Sequence, residues 1–207
     1  IHVLGSLERD LAHLRDKKII VDDHVDYGLP ISRKQTMGNL PFGTTVSGIS
    51  EKSSAGIFWK NEWGATDLDL SAIDLNGERT GWGQRSGYDN QDILFSGDIT
   101  YAPEPRGAME FLTSGPGFKM TYGLFVNIYS GEEGAKAEVV FGKQGRQQWI
   151  TDPIIREKVT LESRGSILGF VKGGKFIVYQ GRLSGGRTSH AKNAVILTRA
   201  AGSFWTV

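Results

Sequence analysis

The 207-residue chain is predicted to be all-β, an antiparallel β-sandwich, and three observations support this fold class. Glycine is abundant, with 28 residues, whereas proline is scarce, with 6. Short apolar or alternating runs recur at intervals of roughly 8–14 residues, separated by turns rich in Gly, Asp or Asn. Strands do not alternate with helical segments in this pattern, which disfavours a parallel sheet with crossover helices.

The runs that predict strands have either a period of two or a short, continuous apolar stretch. They are 19–21, 44–49, 56–59, 68–75, 92–95, 120–129, 138–141, 157–161, 167–171 and 175–180. Within the last two runs, residues 171–178 predict a hairpin with a Gly-Gly turn.

Two segments have a helical character. Residues 6–15 predict a short helix, because Leu7, Leu11 and Leu14 recur at helical spacing. This helix is too short to be stable alone, so we expect it to pack on the main body. Residues 190–201 fit either a final helix or a final strand.

The predicted organisation is a single domain overall, in which residues 1–44 form an N-terminal extension and residues 45–207 form the sandwich.

With 24 Lys and Arg against 23 Asp and Glu, the net charge of +1 creates no overall attraction toward nucleic acid or an anionic membrane. No apolar run reaches the ~18 residues that a membrane span requires. The absence of cysteine excludes disulfides and thiolate zinc sites, and a reducing, cytoplasmic environment is the simplest expectation.

The acidic segments are the strongest functional signal. In the run Thr66-Asp-Leu-Asp-Leu, side-chain alternation along a strand places Asp67 and Asp69 on one face. Asp98 and Glu110 follow in later, glycine-bearing segments. Calcium takes six to eight oxygen ligands, which carboxylates at strand ends can supply. Alternatively, the charges belong to a solvated sheet edge and prevent pairing with another strand.

Residues 58–73, with the sequence Phe-Trp-Lys-Asn-Glu-Trp-Gly-Ala-Thr-Asp-Leu-Asp-Leu-Ser-Ala-Ile, resemble the signature of the TerD family of tellurite-resistance and chemical-stress proteins. The Ser-Gly-Asp of residues 96–98 is similar to the family's Ser-Gly-Asp-Asn. Residues 123–129 resemble its central strand, and residues 166–176 its terminal hairpin. The resemblance covers roughly residues 45–182, and the Asp-x-Asp and Gly-Asp elements are its specific parts.

The resemblance implies a calcium-binding β-sandwich that takes part in a bacterial stress response through protein partners and has no enzymatic activity. Carried over by position, it implies Asp67, Asp69, Asp98 and Glu110 as metal ligands. The sequence departs from the family at Ile99, which stands where the family has Asn, and at residues 100–107, which replace an acidic glycine-rich loop. Fewer ligand oxygens remain, so one of two family-type sites is expected to be lost or weakened.

Catalytic signatures are weak. The segment Gly181 to Thr188 resembles a phosphate-binding loop, but Arg187 replaces the required Lys, and the four histidines have no spacing that supports a triad.

A second hypothesis is a secreted or virion-associated sandwich that binds carbohydrate or a protein partner through aromatic loops. Its contact surface would contain three tryptophans that are close to the acidic segments in sequence: Trp59, Trp63 and Trp82.

Overall fold

A computed structural model describes residues 36–47, 53–74, 79–82, 93–114, 121–143 and 149–183, together with residues 12, 15, 25 and 26. The described chain consists mostly of antiparallel strands, which confirms the predicted all-β class. The strands, in chain order, are β1 Val25–Asp26, β2 Thr36–Met37, β3 Leu40–Pro41, β4 Thr45–Val46, β5 Ser53–Trp59, β6 Asp67–Asp74, β7 Arg79–Gly81, β8 Ile93–Phe95, β9 Ala108–Ser114, β10 Thr121–Ser130, β11 Ala135–Lys143, β12 Asp152–Leu161, β13 Gly165–Lys172 and β14 Lys175–Arg182.

Two main sheets contain most of these strands. The seven-stranded sheet has the order β1-β4-β14-β13-β10-β6-β7, and the five-stranded sheet has the order β12-β11-β5-β9-β8. Strands β2 and β3 pair as a separate two-stranded sheet. Strand β1, from the segment assigned to an N-terminal extension, pairs with β4 at the edge of the seven-stranded sheet.

The main hydrophobic core contains side chains from both sheets. Alternate residues of β6 and β10, including Leu68, Leu70 and Leu124, belong to the same buried cluster as Ile57 and Leu112 of the five-stranded sheet. Burying large aliphatic side chains stabilises a fold by about 1.5–3 kcal/mol each, so this shared cluster is the main force that holds the sheets together.

Most predicted strands are observed, five of them with extended boundaries, and the hairpin at residues 171–178 is formed by β13 and β14. Strand β9 and four short strands, β1, β2, β3 and β7, were not predicted. The predicted segment 19–21 lies outside the described residues.

The predicted helices are not supported. Of residues 6–15, the structure describes only Ala12 and Arg15, where the Arg15 amide donates to the Ala12 carbonyl oxygen at 3.3 Å. Residues 190–201 lie outside the described part of the chain. Apart from Ala12, which has 3-10 conformation, the helical element in the described ranges is a three-residue 3-10 turn, Asn61–Trp63. No helix found in the described ranges is long and apolar enough to cross a membrane.

Candidate metal centre

Asp67 and Asp69 lie together on β6 because the strand has the alternation that its sequence predicts. Leu68 and Leu70 point into the main core, so the two aspartates occupy the opposite face of the same strand. Both aspartates are nevertheless buried, with relative exposures of 9% and 3%. Carboxylates are costly to bury without compensation, so two of them at this end of β6 call for compensating charges or hydrogen bonds.

Asp98 completes a cluster of three carboxylates. It lies in the loop between β8 and β9, and it is exposed. One carboxylate oxygen from each of Asp67, Asp69 and Asp98 can be chosen so that all lie within 4.8 Å of one another. The preceding residue, Gly97, has a φ of +108°, a backbone conformation that residues with a side chain rarely adopt. The glycine therefore permits the turn that brings Asp98 to the end of β6.

Asp67 carries the clearest sign of an incomplete environment. Its Oδ1 atom is buried and has no hydrogen-bond partner within the described structure. Burial raises the pKa of Asp67, and the negative charge of Asp98 raises it further. A bound cation would provide both a partner for the oxygen and relief from the repulsion between the two carboxylates.

Glu110 is completely buried on β9, between Ala108 and Leu112 of the main core, and it extends toward the other sheet. Its Oε2 accepts a hydrogen bond from the Leu70 amide, and its Oε1 accepts one from the Ile99 amide, each at 2.8 Å. The predicted ligand Glu110 is thus placed behind the cluster, and its carboxylate is not among the three that converge.

The two amides that donate hydrogen bonds to Glu110 belong to the residues directly after Asp69 and Asp98. One buried carboxylate therefore links the backbone of β6 to the backbone of the loop and fixes the two aspartates relative to each other. Burial raises the pKa of Glu110 to about 9, although both amide hydrogen bonds act in the opposite direction. The charges of Asp69 and Asp98 contribute a further increase.

The loop that carries Asp98 is held at a second point. The Asn61 amide donates to the Ala102 carbonyl at 2.9 Å, and the Asn61 side-chain oxygen accepts from the Ala102 amide at 3.3 Å. Asn61 begins the 3-10 turn between β5 and β6. The position of Asp98 is therefore set by contacts of its loop with Glu110 of the five-stranded sheet and with the turn between β5 and β6.

Arg79 on β7 supplies a nearby positive charge, which no motif in the sequence predicts. Its guanidinium donates to Ser71 Oγ from Nε at 3.3 Å and from Nη2 at 3.1 Å, and Nη1 donates to the Trp82 carbonyl at 2.6 Å. Burial lowers the pKa of Arg79, and the charge of Asp69 opposes this shift. The arginine partly balances Asp69, but these contacts leave the buried Asp67 oxygen without a hydrogen-bond partner.

The tryptophans proposed as a contact surface occupy different environments. Trp59 is fully buried in the main core, and its Nε1 donates to the Thr66 carbonyl at 3.0 Å. Trp63 packs against Phe58 on the five-stranded sheet, with ring centroids 5.7 Å apart. Trp82 pairs with Tyr129, with ring centroids 5.8 Å apart, and its amide donates to the carbonyl of Leu70, the residue after Asp69. Trp59 and Trp82 therefore both contact β6 or the residue before it, whereas Trp63 packs on the five-stranded sheet.

The donor set agrees with a hard divalent cation. All three converging groups are carboxylates, and oxygen-only sites suit calcium, magnesium or manganese, whereas nitrogen- and sulfur-rich sites suit zinc and copper. The cluster can hold a metal ion. Comparison with protein-family models, curated proteins and solved structures finds no match for this chain.

Proposed function

We propose that this chain is a calcium-binding β-sandwich, a non-catalytic interaction module of a cytoplasmic bacterial stress-response system similar to that of the TerD proteins. The observation that carries the proposal is the buried, unpartnered Oδ1 of Asp67, which lies in a cluster with two other carboxylates. The resemblance of residues 58–73 to the TerD signature supports the system and the ion. Protein partners are part of the proposal on the same basis.

Calcium fits this cluster better than magnesium on chemical grounds. Calcium accepts irregular arrangements of six to eight oxygens, whereas magnesium requires nearly ideal octahedral geometry and loses its water slowly. Asp67 and Asp69 are held on a strand, and Asp98 is held by a loop anchored at Ile99 and Ala102. Ligands fixed in this way cannot easily rearrange around the smaller ion.

Thermal unfolding of metal-stripped protein tests the proposal. A ligand that binds only the folded state at a hundredfold excess over its Kd stabilises that state by about 2.7 kcal/mol, which raises the melting temperature by several degrees. We expect this shift with calcium and a smaller one with magnesium. Asp67→Asn preserves the shape of the side chain but removes its charge, so it should abolish most of the calcium shift.

Asp152→Asn is the matched control. Asp152 is an exposed aspartate at the start of β12, on the far edge of the five-stranded sheet, and it should keep the full calcium shift. If wild-type protein melts at the same temperature with and without millimolar calcium, the proposed ion site is wrong. If Asp67→Asn and Asp152→Asn respond equally, calcium binds elsewhere.

A further inference from the structure

A pair of aromatic rings flanks β6, the strand that carries Asp67 and Asp69. The ring centroids of Trp82 and Tyr129 lie 5.8 Å apart with an interplanar angle of 40°. Trp82 directly follows β7, and Tyr129 lies on β10, so the pair bridges β6, which runs between those strands. In the register of β10, Tyr129 lies between the partners of Asp69 and Asp67. The aromatic bridge, defined as Trp82 and Tyr129, is therefore adjacent to the two strand aspartates.

The aromatic bridge is both held in place and accessible. The Arg79 guanidinium donates to the Trp82 carbonyl and lies 5.9 Å from the centroid of the Trp82 ring. Tyr129, in contrast, is 49% exposed, although it is a large side chain next to a buried cluster. A fixed, partly exposed ring loses little conformational entropy when a ligand packs on it.

The carboxylates by themselves do not fill the coordination shell of calcium when each supplies one oxygen. Calcium takes six to eight oxygens, and the cluster supplies three such groups. Asp98 is exposed, so the ion would face solvent on that side of the site. Oxygen atoms of a bound molecule can complete the shell there.

The net charge of the site indicates which kind of ligand oxygen would complete the calcium shell. The three aspartate charges would be balanced by the two charges of calcium and the one charge of Arg79, whose electrostatic partner is Asp69. A further carboxylate from a ligand would add an unbalanced negative charge in a partly buried site, which is unfavourable. Neutral hydroxyl groups complete the shell without this cost.

From these contacts we infer that the site binds a neutral polyhydroxyl ligand, a sugar with vicinal hydroxyls, whose hydroxyls bind the calcium ion and whose apolar ring face packs on Tyr129. The inference rests on the proposed calcium site and specifies a ligand class for it. In this inference the aromatic bridge contacts the sugar, in addition to packing over β6.

Saturation-transfer NMR with methyl α-mannoside, methyl α-fucoside and methyl β-galactoside tests the inference. We expect transfer to at least one glycoside in calcium and a loss of transfer in excess chelator. Tyr129→Ala should reduce the affinity about tenfold, the equivalent of about 1.4 kcal/mol. Tyr129→Phe retains the ring and should bind normally. Tyr101→Ala, which removes a tyrosine that is 65% exposed on a different part of the loop, is the matched control and should also bind normally.

The calcium-induced melting shift of each variant is measured in parallel, so that the two proposals fail separately. If wild-type protein shows the calcium shift but none of the glycosides binds, the ligand class is wrong and the calcium site remains supported. Transfer that is equal in calcium and in chelator also overturns the inference. So does binding of a Glu-rich peptide, without glycoside binding, to the calcium-loaded protein. If the calcium shift itself is absent, the proposed function fails.

Discussion

The outer faces of the two sheets both bury aromatic and charged side chains, but they balance the charges differently. On the five-stranded sheet, Phe58 belongs to a buried cluster that also contains Met109. The Arg156 guanidinium lies 4.5 Å from the Phe58 ring centroid and pairs with Glu138. On the seven-stranded sheet, the corresponding charges are the aspartates of β6, and one oxygen of Asp67 has no partner within the described chain.

This difference shows which face would gain from a bound cation. Arg156 has both a carboxylate and an aromatic ring, so its charge on the five-stranded face is balanced by the chain itself. The cluster of Asp67, Asp69 and Asp98 contains three negative charges, and Arg79 is the nearby cation that interacts with Asp69. A bound cation would relieve the repulsion among the carboxylates at this face.

The largest effect is expected from Glu110→Ala, which removes the link between the two aspartate-bearing segments. The amides of Leu70 and Ile99 would each lose their acceptor in a buried site, and a cavity would form in the core. Unsatisfied buried donors cost about 1–3 kcal/mol each, so the free energy of unfolding should fall by about 3 kcal/mol or more. Urea denaturation measures this loss.

Glu110→Gln is the control, because it preserves side-chain volume and one acceptor oxygen. It should destabilise the protein less than Glu110→Ala, and its calcium shift should be weaker than that of the wild type, since Asp69 and Asp98 are less firmly held. A loss of less than ~1 kcal/mol in the free energy of unfolding of Glu110→Ala would mean that the hydrogen bonds of Glu110 to Leu70 and Ile99 contribute little to stability.

Calcium is expected to have a smaller effect, which is to change how the stability of the folded protein depends on pH. Glu110 and Asp67 have raised pKa values in the folded protein, so the folded state binds protons more tightly than the unfolded chain does. The metal-free protein should therefore lose stability as the pH rises from about 4.5 toward about 9, the ordinary and folded pKa values of Glu110. Calcium relieves the repulsion among Asp67, Asp69 and Asp98 and should make the decrease shallower.

Melting temperatures between pH 5 and pH 9, with and without calcium, test this expectation. Asp152→Asn should follow the wild-type curves, because Asp152 is exposed and remote from the cluster. A metal-free protein whose stability increases over this interval would show that the folded state does not hold these protons.

The smallest effect is expected from Glu138→Ala on the five-stranded face. Arg156 is partly exposed and keeps its contact with Phe58, so the lost ion pair should cost less than ~1 kcal/mol. The calcium shift should be unchanged. Urea denaturation and the calcium melting assay measure both properties on the same sample. A changed calcium shift would contradict the separation of the two faces.

Local pattern was sufficient for much of the fold. Alternation predicted that Asp67 and Asp69 share a face of β6, because the side-chain period of a strand is two. Strand β9 was missed because Glu110 interrupts its apolar pattern at a position that faces the core. A charged residue within a short apolar run predicts a loop when only its neighbours in sequence are considered, even if its side chain faces the core.

The sequence by itself determined the all-β class, most strands and the pairing of two aspartates on one strand, since these depend on neighbours within a few residues. Only the tertiary structure decided that Asp98 joins them, that Glu110 bonds to Leu70 and Ile99, and that Trp82 meets Tyr129 across β6. These contacts join strands that are distant in sequence. They arise because the two sheets pack through a shared core and because neighbouring strands within a sheet come from distant parts of the chain.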